Sequence, residues 1–250
     1  MRTRTRQSTL AAGVICTVAA LTALAGAGAR ADGPAIPAPL ERGETRTVSE
    51  VVDGDTLLLD DGRELRLVGL QAPKLPLGRP NFEPWPMADA AKAALATLAL
   101  GREIVLAYGG RRIDRHGRVL AHAVRADGLW LQAELLSRGL ARVYSFADNR
   151  ALVERLLAIE RRARSTARGI WAHPYYQVRA PGDLAEHIGS FQLVEGRVYD
   201  VAEINGRVYI NFGRDWRSDF TVTLPPDVRR LFEREGKERA VELLERAERE

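Results

Sequence analysis

Carboxylates and guanidinium groups gather at turn-like sites in the first two thirds of this 250-residue chain. Val51-Val52-Asp53-Gly54-Asp55-Thr56 sets two aspartates about a glycine, and Arg66-Leu67-Val68-Gly69-Leu70-Gln71-Ala72-Pro73 leads into Lys74. Asp114-Arg115-His116-Gly117-Arg118 puts an aspartate beside two arginines. A carboxylate oxygen suits a hard cation, and the forked arginine head suits two oxygens of one phosphate. Each motif alone has a plainer reading, since an Asp-Gly pair is also a hairpin turn and an arginine also makes ordinary surface ion pairs. The four histidines, His116, His122, His173 and His187, lack metal-ligand spacing.

Charge says where phosphate chemistry could sit. The chain has 37 Lys+Arg against 33 Asp+Glu, a formal +4. Arg2, Arg4 and Arg6 precede an uncharged run over residues 8–28, followed by Ala29-Arg30-Ala31, the pattern of a secretory signal peptide over residues 1–31. Gly, Ala and Thr dilute that run, which argues against a retained anchor, so the expected product is periplasmic or extracellular with no stable membrane anchor after cleavage. Cys16, the one cysteine, falls inside it. Four arginines and no acids leave with this segment, and residues 32–250 then balance. Residues 46–180 hold 21 basic and 15 acidic side chains, for +6, while residues 181–250 hold 11 and 15, for −4. The first stretch is a candidate phosphate-binding module; on charge alone the second is not.

The elements that must position these groups can be read from pattern. Residues 32–45 carry Pro34, Pro37 and Pro39 and read as a flexible leader. From Arg46, three β-prone runs are split by Asp53-Gly54 and Asp61-Gly62, which predicts an antiparallel meander. Helices are expected over residues 87–100, 131–139 and 150–168, with strands near 103–107 and 118–125. The fold class is α+β: a five-stranded OB-type β-barrel with three helices over residues 46–176 accounts for that order, which other α+β arrangements share. Residues 177–190 read as a linker. The remainder, 191–250, is a small C-terminal β-strand segment with runs at 191–200, 207–212 and 220–224, closed by a charged helical tail from Pro226. Three strands do not close a barrel, so this segment packs on the first domain, meets a partner that the sequence leaves unidentified, or is an incomplete module.

The four motifs from Val51 to Gly169-Ile170-Trp171, in their order and spacing, resemble the staphylococcal-nuclease-like (thermonuclease) family. The resemblance covers half the chain. It implies a secreted nuclease that hydrolyses phosphodiester bonds of DNA or RNA with Ca2+. Asp55 then matches a calcium-ligating aspartate, and Arg66 and Arg118 match two catalytic arginines. Tyr144 and Phe146 follow the second helix, where the family places tyrosines flanking a nucleotide base; base stacking is one reading and core packing the other. Glu134 matches a position that we read as structural. The departure is at Gln71-Ala72-Pro73-Lys74, where the family has Asp-Thr-Pro-Glu. A second calcium ligand has become the amide of Gln71, and the presumed general base has become a cation, Lys74, suited to phosphate binding. A substitute carboxylate is sought in Glu83, or in Asp89 at the start of the first helix. The alternative function is a non-catalytic nucleic-acid or phosphate-binding module of the same fold.

Overall fold

The computed structural model describes residues 33–234. The expected signal peptide with Cys16, and the tail beyond residue 234, lie outside the described residues. Among the described residues no helix is long and apolar enough to cross a membrane.

The chain forms β1 (Glu41–Asp53), β2 (Thr56–Leu59), β3 (Glu64–Leu67), β4 (Leu70–Gln71), α1 (Ala88–Ala99), β5 (Glu103–Tyr108), β6 (Val119–Arg125), α2 (Leu131–Ser137), β7 (Arg142–Val143) and α3 (Val153–Ser165). Strands β1-β2-β3-β6-β5 close a barrel. The meander β1-β2-β3 is antiparallel, and parallel pairing of β3 with β6 completes the wall. A single long strand serves two neighbours because β1 pairs β5 through its first half and β2 through its second. Register shifts at Val48/Glu50 and Val51/Asp53 interrupt the ladder with β2. Pairing of Glu41 with Tyr108 starts β1 upstream of Arg46, where the β-prone pattern begins.

Alternation along the strands turns Leu57, Leu65, Leu67, Ile104 and Leu106 into the barrel, all fully buried, and α1 and α2 add Leu95, Leu131, Leu135 and Leu136. Each such side chain contributes roughly 1.5–3 kcal/mol. The face opposite these leucines carries Arg66, and the register Arg66↔Leu120 puts Arg118 on the same outward face two residues away. Gly54 is where this core meets the aspartate turn: a Cβ there would stand 2.7 Å from the Ala72 Cβ and 2.8 Å from the Ala91 Cβ. Only a residue without a side chain lets the turn press against α1.

His122 on β6 is the one buried histidine among the described residues. Its ring lies 5.5 Å from that of Trp130, and its Nδ1 has no hydrogen-bond partner. Burial pulls its pKa down to about 4. The folded state therefore holds it neutral while the unfolded chain takes up a proton below about 6.5, so stability falls as pH drops through that window. Between pH 7 and pH 5 the loss is about 2 kcal/mol, measurable by urea unfolding at the two values. A His122→Leu variant is expected to lose this slope; an unchanged slope would assign it to other groups.

Beyond the barrel, β8 (Val178–Arg179) pairs in parallel with β9 (Leu193–Val194), so part of the expected linker is ordered against the C-terminal segment. A three-stranded antiparallel sheet then comprises β10 (Asp200–Ile204), β11 (Arg207–Asn211) and β12 (Thr221–Leu224), with α4 (Pro226–Arg234) packed on β11. The strand expected over residues 191–200 is thus divided. Asn205 and Gly206, both at positive φ, make the tight hairpin turn that fixes Asp200↔Asn211 as the start of the ladder. Phe191 is drawn instead onto Trp85, with ring centroids 4.8 Å apart.

Candidate active site

Two aspartates from the β1–β2 turn lie at the centre of the motif residues. Asp53 is 4% exposed and Asp55 is wholly buried. The Asp53 carboxylate accepts the backbone N–H of Asp55 at 2.9 Å, an Asx-type turn that fixes the second side chain. Asp55 is then surrounded by donors. Ala72 N–H donates to Oδ2 at 2.8 Å, the Thr56 hydroxyl to Oδ1 at 3.2 Å, and the Lys74 ammonium to both oxygens at 2.9 and 3.2 Å. Arg66 Nη1 is 3.0 Å from Oδ1. Burial pushes the Asp55 carboxyl upward, but Arg66, Lys74 and the Ala72 amide outweigh it and hold the pKa below the ordinary aspartate value. For Asp53 burial wins, reinforced by the charge of Asp55, and its pKa is raised.

Arg66 is spent on the fold as well as on Asp55. Its Nη1 donates to the carbonyls of Asp55 (3.1 Å) and Leu67 (3.0 Å), and its Nη2 to that of Leu70 (2.9 Å). These bonds tie the end of β3 to the turn before β2. Arg118 is held differently, by a two-pronged pair with Asp114 in which Nε and Nη2 both lie 2.8 Å from one carboxylate oxygen. Its side chain keeps 31% exposure, against 13% for Arg66. Of the two arginines, Arg118 is the one a phosphate could reach.

Next to the cluster, β4 and β7 pair so that Gln71 stands opposite Arg142. Arg142 Nη2 donates to the Gln71 side-chain oxygen, and its guanidinium lies 5.1 Å from the ring of Tyr144 and 4.8 Å from that of Phe191. Burial lowers its pKa. Tyr144 and Phe146 project beside it as an edge-to-face pair 5.0 Å apart, 37% and 60% exposed. Core packing does not hold these rings.

The loop from residues 109 to 118 carries Arg111, Arg112, Arg115 and Arg118 and is fastened to the segment bearing these aromatics. Arg111 N–H donates to the Asp148 carbonyl, and Asn149 Nδ2 donates to the Arg111 carbonyl, both at 2.9 Å. His116, on that loop, is exposed and lies 3.1 Å from Arg115 Nε.

Glu83 and Asp89 are exposed and join none of the cluster's hydrogen bonds or ion pairs. Glu134 bonds Arg138 one turn on, at 2.8 and 2.6 Å, a helix-surface pair. Arg111, Arg112 and Arg142 are residues that the sequence patterns did not single out, and Asp53 stood there only as a turn aspartate. Alternation through Ala141-Arg142-Val143-Tyr144 was the available signal, since it puts Arg142 on the same face as Tyr144.

Calcium requires roughly six to eight oxygen ligands. Here both oxygens of Asp55 are committed to nitrogen donors or a hydroxyl, Asp53 holds an amide, and the Gln71 oxygen is held by Arg142. Among the described residues no group of three His, Cys, Asp or Glu side chains could hold a metal ion. The donor set does not fit a calcium ion.

A closed five-stranded barrel with three helices is the architecture of an OB-type fold. A family model for staphylococcal nuclease homologues matches residues 64–173. The thermonuclease of Staphylococcus intermedius is 30% identical over 136 residues, covering 52% of this chain and 77% of that protein. The chain belongs to the staphylococcal nuclease homologue family.

Proposed function

We propose that this protein binds nucleic acid, DNA or RNA, along the strip formed by Tyr144, Phe146 and the arginine loop, and that it lacks the calcium-dependent hydrolysis implied by its resemblance to nucleases. The observation that carries this reading is the exposed Tyr144–Phe146 pair fastened to the loop of residues 109–118. Exposed rings offer faces on which bases stack regardless of sequence. The loop arginines supply charge for the backbone. Arg111 and Arg112 are more than half exposed, and their pairs with Asp148 and Glu41 are surface ion pairs, which are worth little and exchange readily for a phosphate. Against hydrolysis stands Lys74 in the place of the base, bonded to Asp55, with no carboxylate in its place among the described residues. Export is part of the proposal and rests on Arg2, Arg4 and Arg6 ahead of the uncharged run.

Fluorescence anisotropy with a labelled single-stranded oligonucleotide tests the reading. Tyr144→Ala and Phe146→Ala are each expected to weaken binding by roughly five- to a hundredfold, the range for loss of one stacked base. Affinity is also expected to fall steeply with salt. Binding that neither substitution changes would sink the assignment. Cleavage that requires calcium, and exceeds that of an Arg66→Ala, Arg118→Ala variant, would establish the nuclease reading instead.

A further inference from the structure

We propose that the Lys74 ammonium is the resident cation of this site, occupying the space beside the paired carboxylates that a divalent metal would need. The protein is thereby made indifferent to such metals. Asp53 and Asp55 are both buried, and two adjacent buried carboxylates demand compensating positive charge. The fold supplies it from within. Lys74 Nζ lies 2.9 and 3.2 Å from the two oxygens of Asp55 and 4.0 Å from Oδ2 of Asp53, and Arg66 approaches Asp55 from the other strand. Two negative and two positive charges make the cluster neutral.

The ammonium is delivered by a fixed backbone. Ala72 donates its N–H to Asp55, Pro73 fixes its own φ and restricts Ala72 before it, and the Lys74 carbonyl accepts the Trp85 N–H at 2.9 Å. Residues 72–74 therefore enclose the carboxylate from two sides. An ammonium is compact and carries rotatable donors, which allows one nitrogen to donate to both Asp55 oxygens while it stays within ion-pair range of Asp53. A divalent ion entering this space would meet two cations at contact distance and find both Asp55 oxygens already engaged. It would first have to expel the lysine into solvent.

This deepens the part of the reading above that denies calcium-dependent hydrolysis, but its test uses no nucleic acid, so it and the nucleic-acid reading fail separately. Terbium, a luminescent calcium substitute, is titrated with excitation of the tryptophans, Trp85 among them, and melting temperature is followed in calcium and in chelator. For the wild type we expect no saturable luminescence and the same melting temperature in both. Lys74→Ala removes the ammonium from beside the two carboxylates and leaves Arg66 as the cation bonded to Asp55. It is expected to bind terbium at least about tenfold more tightly than the wild type, and calcium should raise its melting temperature. Lys74→Arg retains a positive charge and is expected to stay as indifferent as the wild type. Saturable terbium binding by the wild type that Asp55→Asn abolishes would overturn the proposal, and so would a folded Lys74→Ala protein that gains no affinity. Should Lys74→Ala fail to fold, the wild-type titration still decides.

Discussion

Replacing Asp55 by alanine is expected to destabilise the barrel by about 3–5 kcal/mol, the cost of leaving buried charge without its partner. Asp55 is wholly buried and is the common acceptor for Arg66, Lys74, the Thr56 hydroxyl and the Ala72 amide. Removing it strands two cations in the protein together with a buried N–H. Asp55→Asn keeps one acceptor oxygen for that amide but not the negative charge, and should lose less than alanine. Urea unfolding of both variants measures the difference. A Lys74→Met partner substitution supplies the control: if the cost is that of an orphaned ammonium, the double variant should recover part of the loss, giving a favourable coupling in a double-mutant cycle. A loss below about 1 kcal/mol for Asp55→Ala would show that solvent or Asp53 already balances the cations, and would place the cluster with weak surface pairs.

The same cluster marks the boundary of what could be read from residue order. The barrel was legible because its signals are local: the Asp53-Gly54 and Asp61-Gly62 turns lie between β1, β2 and β3, and apolar alternation along Leu57, Leu59, Leu65 and Leu67 states which face is inside. Arg66, Asp55 and Lys74 were each named from motif positions. Their bonding was not legible, because Lys74 reaches back 19 residues to Asp55 and an amide, a hydroxyl and two cations all compete for one carboxylate. Only packing decides that contest. The expectation of Lys74 as a phosphate binder treated its charge as free, whereas its ammonium is spent on Asp55. Arg142 escaped notice because its importance comes from β4–β7 pairing across residues 71 and 142. Phe191 was read as the start of a strand for the same reason: its contacts with Trp85 and Arg142 are tertiary, and they override a β-prone local sequence.

Returning carboxylates to both departures, Gln71→Asp together with Lys74→Glu, is expected to raise phosphodiester cleavage over the wild type by roughly a hundred- to ten-thousandfold when calcium is supplied, the range attributed to general acid–base catalysis. The charge of the cluster explains why both changes are needed. With Lys74 replaced, Asp53, Asp55 and the new group at 74 face Arg66 with a net negative charge, which suits a hard cation that the wild-type cluster would repel. Gln71→Asp alone leaves the ammonium in place and offers its carboxylate to Arg142, already bonded to that side chain, so no gain is expected from it. Lys74→Glu alone should give a fraction of the gain, with one anionic ligand fewer. A plasmid or oligonucleotide cleavage assay with calcium and with chelator resolves the three proteins. If the double variant folds and binds calcium but cuts no faster than the wild type, the obstacle is Arg66. Its two terminal nitrogens are held by the carbonyls of Asp55, Leu67 and Leu70, and a guanidinium that braces the β2–β3 end of the barrel cannot also turn to a phosphate.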